Sequence, residues 1–185
     1  MRRRTLSLLW SLPLLTATAV VSTSCQTTWP RRMPTGEVFP AVRGTSLAGQ
    51  PVQLPLPEPQ LLLIGYDQDA QFDLDRWLLA LDASDWRVRT FEVPTLPGLV
   101  PGLLSGTIDG GMRRGIPSED WAAVVTVYDD AEAIAAFTGN EDGLTGRVLL
   151  LGADGRVRFF HDRGFSVGTL KKLQRAAAEL TGDER

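Results

Sequence analysis

A single cysteine, Cys25, stands in a chain of 185 residues, and no other feature limits the fold more. One thiol cannot close an internal disulfide. With one histidine, His161, the chain also lacks the His/Cys sets that build structural zinc sites. A domain made from this sequence must therefore be held by packing. Setting aside a short leader and linker, one domain of roughly 100–150 residues fits, large enough to bury a core without staples.

Cys25 also lies where an export signal would be cut. Arg2, Arg3 and Arg4 form a basic start, and Leu6 to Val21 is apolar apart from Ser, Thr and Pro13. Ser22-Thr23-Ser24 then supplies small residues before the cysteine. That order is a secretory signal. A cysteine directly after the cut resembles the lipobox of bacterial lipoproteins, with Ser22 where that motif has an aliphatic residue. The resemblance implies a signal peptide over residues 1–24, diacylation of the Cys25 thiol and an N-terminal lipid anchor in a membrane. Gln26 rather than Asp at the next position implies, for a diderm cell envelope, the outer membrane facing the periplasm.

The rival readings are an ordinary cleaved signal and a retained anchor. A spanning helix needs about 20 apolar residues, and this stretch is shorter and broken by Pro13. Arg3-Arg4-Thr5-Leu6-Ser7 also matches a twin-arginine export address, against the simpler reading of a charged start.

The formal charge is −3, and without the three leader arginines 16 basic face 22 acidic side chains, a net −6. Nucleic-acid binding rests on phosphate neutralisation by Lys and Arg, so no nucleic-acid partner is expected. The same balance argues against electrostatic adsorption on anionic lipid.

Seven prolines between Cys25 and Gln60 exclude a regular helix there. Residues 25–37 read as a Pro-rich tether and 38–182 as the domain. Two short extended pieces flank the Gly49 turn, and Leu61-Leu62-Leu63-Ile64-Gly65 is a strand buried on both faces. A helix follows, with Asp73 as its cap and Leu74, Trp77, Leu78 and Leu81 on one face. Trp86 to Val93 is a strand, Leu103 to Arg114 a glycine-weakened helix, and Ala122 to Val127 a second apolar strand. Asp130 caps a short helix closed by Gly139-Asn140. Val148 to Leu151 and Val157 to Phe160 form a hairpin around Asp154-Gly155, and Ser166 caps a last helix.

Strands and helices alternate, so the class is α/β. The order resembles the thioredoxin-like pattern as elaborated in peroxiredoxins and extracytoplasmic thiol oxidoreductases. Phe39-Pro40, Gly44 and Leu47-Ala48-Gly49 are similar to their leading segment, and Leu149-Leu150-Leu151 with Asp154-Gly155-Arg156-Val157 to their terminal hairpin. Trp77, Met112-Arg113-Arg114-Gly115-Ile116-Pro117 and Gly155-Arg156-Val157-Arg158-Phe159 resemble the mitochondrial ATP synthase assembly factor family. These resemblances imply a three-layer α/β/α sandwich with a mixed central sheet and a C-terminal β-hairpin followed by a helix. They also imply a protein partner.

Thioredoxins carry Cys-x-x-Cys after the first core strand, where this chain has Tyr66-Asp67-Gln68-Asp69-Ala70-Gln71-Phe72. Disulfide exchange needs a thiolate, so redox inactivity is expected. Thr145-Gly146-Arg147 stands where the thioredoxin cis-proline would precede the Val148 strand. The alternative is a non-thiol enzyme or small-ligand binder using the vacated loop. Its candidate residues are Asp67, Asp69, Gln71, Arg113, Arg114 and His161. Each has a plainer reading: the acids complement a helix N-terminus, the arginines are solvated at a broken helix end, and His161 sits in an exposed loop. The acidic loop lacks the spacing of a calcium site, so neither metal nor cofactor is expected.

Overall fold

The computed structural model describes residues 28–98 and 105–182. The leader, Cys25 and the start of the expected helix at Leu103 and Leu104 lie outside the described residues.

The apolar run becomes β3 (Gln60–Gly65), whose residues Leu61 to Ile64 are wholly buried. Pleating sends Leu62 and Ile64 into one hydrophobic cluster and Leu61 and Leu63 into another on the opposite face. Each such leucine contributes about 1.5–3 kcal/mol on leaving water. Parallel to β3 lies β4 (Arg89–Pro94), and antiparallel on its other side lies β6 (Arg147–Leu151), followed by β7 (Val157–His161). β1 (Val42–Ser46) pairs antiparallel with both β2 (Pro51–Leu54) and β5 (Val125–Thr126). Bridges Glu92–Val124 and Thr95–Val127 join the two sheets at β4.

The helices α1 (Gln71–Asp82) and α4 (Val167–Thr181) cover one face. There Trp77, Leu74 and Leu81 meet Leu173 and Ala177 over Val148 and Leu150. On the other face α3 (Ala131–Thr138) brings Ile134, Ala135 and Phe137 against Leu149 and Phe91. This is the three-layer sandwich around a mixed sheet, ending strand-strand-helix. α2 (Ser105–Gly115) is tied to the domain edge, where Arg113 Nε donates to the Leu47 carbonyl at 2.8 Å. Among the described residues no helix is long and apolar enough to cross a membrane.

Three local expectations need correction. Asp73 does not cap α1: Asp67 begins the turn, accepting the Asp69 N–H at 3.0 Å, and Asp73 is buried within the first turn. The Asp130 side chain makes no capping bond to α3 and instead accepts the Arg43 N–H at 2.7 Å. Residues 28–37 are not a free tether. Trp29 packs on the core, Pro34 is buried, and Gly36 and Glu37 exchange backbone hydrogen bonds with Val157. Ser166 caps α4 as expected, accepting the Thr169 N–H at 3.1 Å.

Candidate functional site

The end of the sheet where β3 and β4 finish and β6 starts is the place a thioredoxin would hold its cysteines. Here the connection from β3 to α1 is closed by hydrogen bonds within itself and to its neighbours. Asp73, third residue of α1, points inward rather than to solvent. Its Oδ2 accepts the Gly146 N–H at 3.1 Å and its Oδ1 the Phe165 N–H at 2.6 Å. One buried carboxylate thus joins α1 to the loop before β6 and to the loop before α4. Gly146 is required for that approach, because a Cβ there would clash with the buried Leu74 side chain.

Beside it, Arg147 occupies the position before Val148 and is buried. Its Nε donates to the Gly139 carbonyl at 3.0 Å, Nη1 to Thr145 and Nη2 to Asp142 at 2.6 Å each. The guanidinium lies 5.6 Å from the Tyr66 ring centre, a cation–π contact. Burial lowers the Arg147 pKa, with the opposing charges of Asp162 and Asp142 working against it. The Tyr66 hydroxyl meets Thr138 Oγ1 at 2.5 Å, and burial pushes its pKa well above the ordinary phenol value. Arg147 therefore organises the 139–147 loop through carbonyls, leaving few donors for a ligand.

The sequence candidates separate into three places. Asp67, Asp69 and Gln71 remain together at the start of α1, with Gln71 Nε2 donating to Asp75 at 2.9 Å. Gln71 also favours the charged form of Glu92. Arg113 and Arg114 belong to α2, where Arg113 stacks 5.8 Å from the Trp121 ring centre and Arg114 is exposed. His161 is not in an exposed loop: it is the last residue of β7, paired with Val148. Its Nε2 lies 2.7 Å from the Gly164 carbonyl, and its ring stands 5.9 Å from that of Trp77.

Two carboxylates take inward roles here: Asp73, which the sequence reads as a helix cap, and Glu92, which it does not single out. Glu92 is buried on β4; burial raises its pKa, Gln71 opposes the rise and the Asp75 charge adds to it. Its place between Phe91 and Val93 was the available signal.

A cleft of about 380 Å³ opens at this end between Arg31, Asp142, Arg147 and Asp162. Its charges are largely consumed by one another: Arg31 grips Asp162 through Nε at 2.5 Å and Nη2 at 2.8 Å. Burial pushes the Asp162 pKa up, but the Arg31 bond and charge outweigh it and leave it lowered. A second cleft of about 570 Å³, between Trp86 and α4, lies at the opposite end. Among the described residues no group of three or more His, Cys, Asp or Glu is placed to hold a metal ion. The vacated loop, Arg113 and His161 do not converge on one cavity.

No family model and no curated protein matches the chain. Solved structures do. Thiol peroxidase from Chromobacterium violaceum is 12% identical with a TM-score of 0.53, over 81% of this chain and 91% of that one. BsSco, a member of the Sco family of cytochrome c oxidase assembly proteins, is 15% identical at 0.55, over 82% and 98%. Copper-bound ScoI from Arabidopsis thaliana is 10% identical at 0.53, over 77% and 99%. At such identities the likeness speaks for architecture alone, and the architecture is thioredoxin-like.

Proposed function

We propose that this protein is an exported, lipid-anchored thioredoxin-like protein of the cell envelope that carries no thiol chemistry. It acts by binding another protein, as an assembly factor does. The observation that supports this reading best is the state of the vacated end. Where a thiol enzyme needs an accessible sulfur, Asp73 ties three segments together and Arg147 is spent on backbone carbonyls. Beside exposed acids at this end, α1 offers apolar side chains outward: Phe72 in its first turn and Leu79, seven residues further along, are 71% and 70% exposed. Residues seven apart fall on one helix face. Such side chains suit contact with a polypeptide better than catalysis.

The experiment is an assay of the full chain carrying Cys25→Ser, which has no thiol left. Insulin disulfide reduction and hydroperoxide reduction should both stay at the uncatalysed rate. Turnover by that variant would overturn the reading.

A further inference from the structure

Among the described residues, contacts with the domain reach back to Trp29, ahead of the expected residue 38. The Trp29 N–H donates to Asn140 Oδ1 at 2.5 Å, the Asn140 N–H donates back to the Trp29 carbonyl at 3.1 Å, and Trp29 packs against the core. Gly139 lets the segment lie this close, since a Cβ there would come within 2.5 Å of the Pro30 carbonyl oxygen. Only four residue steps separate Cys25 from Trp29, a reach of at most roughly 14 Å.

Topology fixes which end of the domain that short reach serves. Asn140 follows the C-terminus of α3. At the same end of the sheet lie the finish of β3, the start of β6 and the finish of β7, and hence the starts of α1 and α4. Three of the exposed large apolar side chains stand there: Phe72 opening α1, Leu144 at 58% exposure in the loop before β6, and Val167 at 61% opening α4. Asp73 draws their segments together by bonding Gly146 and Phe165.

We infer that the vacated end stands on the bilayer, with Leu144 and Val167 resting at the lipid–water interface and Phe72 at its border. This rests on the reading of Cys25 as the acylated residue. The occupant of this surface is the lipid itself, brought there by the anchor and the short reach. Electrostatic attraction is not the cause, since Asp67, Asp69, Glu141 and Asp142 are exposed at this end, against Arg163 and an Arg31 already paired with Asp162. Two acyl chains on Cys25 suffice to hold the chain on the bilayer, and the apolar side chains set which end of the domain faces it. A protein running along α1 from Phe72 to Leu79 would then start at the membrane surface.

The test uses the full acylated chain in vesicles of phosphatidylethanolamine and phosphatidylglycerol doped with nitroxide-labelled phosphatidylcholine. Fluorophores are placed through Leu144→Cys or Val167→Cys, and at the far end through Ala83→Cys or Thr181→Cys, all exposed positions. Quenching by the lipid nitroxide should be several-fold stronger at 144 and 167 than at 83 and 181. Equal quenching on protein that stays vesicle-bound overturns the orientation while leaving the anchor intact, and frees this end for a protein. Failure of the acylated chain to stay on vesicles overturns the anchor and the orientation together.

Discussion

Asp73 on α1 accepts the backbone N–H of Phe165 at 2.6 Å, linking the first turn of one helix to the approach of another 92 residues away. The second oxygen of the same carboxylate holds Gly146 at 3.1 Å. This pair of bonds sets the shape of the end where a thioredoxin would keep its cysteines.

Replacing Asp73 by Ala strands both amides in a buried setting. Each orphaned donor costs about 1–3 kcal/mol, so Asp73→Ala should lower the denaturant midpoint clearly. Asp73→Asn keeps one acceptor and should fall between the variant and the parent. Chemical denaturation followed by tryptophan fluorescence reads this; an unchanged midpoint for Asp73→Ala means the two bonds hold nothing.

Trp77 and His161 are in edge-on ring contact. Trp77 is fully buried, its ring edge-on to Phe165 at 5.2 Å and beside His161 at 5.9 Å. Trp77→Ala should cost about 3–5 kcal/mol. Among the described residues the indole N–H has no hydrogen-bond partner, so Trp77→Phe gives up no such bond and should cost much less than Trp77→Ala. His161→Ala loses the ring contact and the bond to Gly164, and should cost about 1–2 kcal/mol rather than nothing. Equilibrium unfolding of the three variants ranks them.

Local pattern made the central strands and the terminal hairpin legible. A run of leucines bounded by glycine has one economical use, and Asp154-Gly155 marks its turn without help from the rest of the chain. Trp77 was readable for the same reason, since its helix face must meet the sheet. What escaped depends on tertiary neighbours. An aspartate near a helix start reads as a cap, and only the arrival of Gly146 and Phe165 shows that Asp73 faces inward. Trp29 sits among prolines and arginines that suggest a linker, and its pairing with Asn140 spans 111 residues. His161 looked like a loop residue because β7 extends one position beyond its apolar run.

Glu92 gives a pH signature. Its pKa is raised in the folded state, chiefly by burial, so folded protein holds this proton more tightly than unfolded chain. The stability it contributes is complete below the ordinary glutamate value of about 4.3 and is lost as pH rises through the folded value. Asp162, held low by Arg31, contributes with the opposite sign: its share is present above the ordinary aspartate value and fades as pH falls. The difference between Glu92→Gln and the parent isolates the first effect. The variant should gain relative stability as pH rises from about 4 toward 7. Urea unfolding across that range checks it, and a constant difference contradicts it.

Binding in place of catalysis is tested directly by site-specific photocrosslinking in the producing cells. A photoreactive residue at Leu79, on the exposed face of α1, is compared with one at Thr181 at the far end of α4. A discrete adduct with one envelope protein is expected from position 79 and none from 181. The same diffuse pattern from both positions, or no adduct from either, would contradict it.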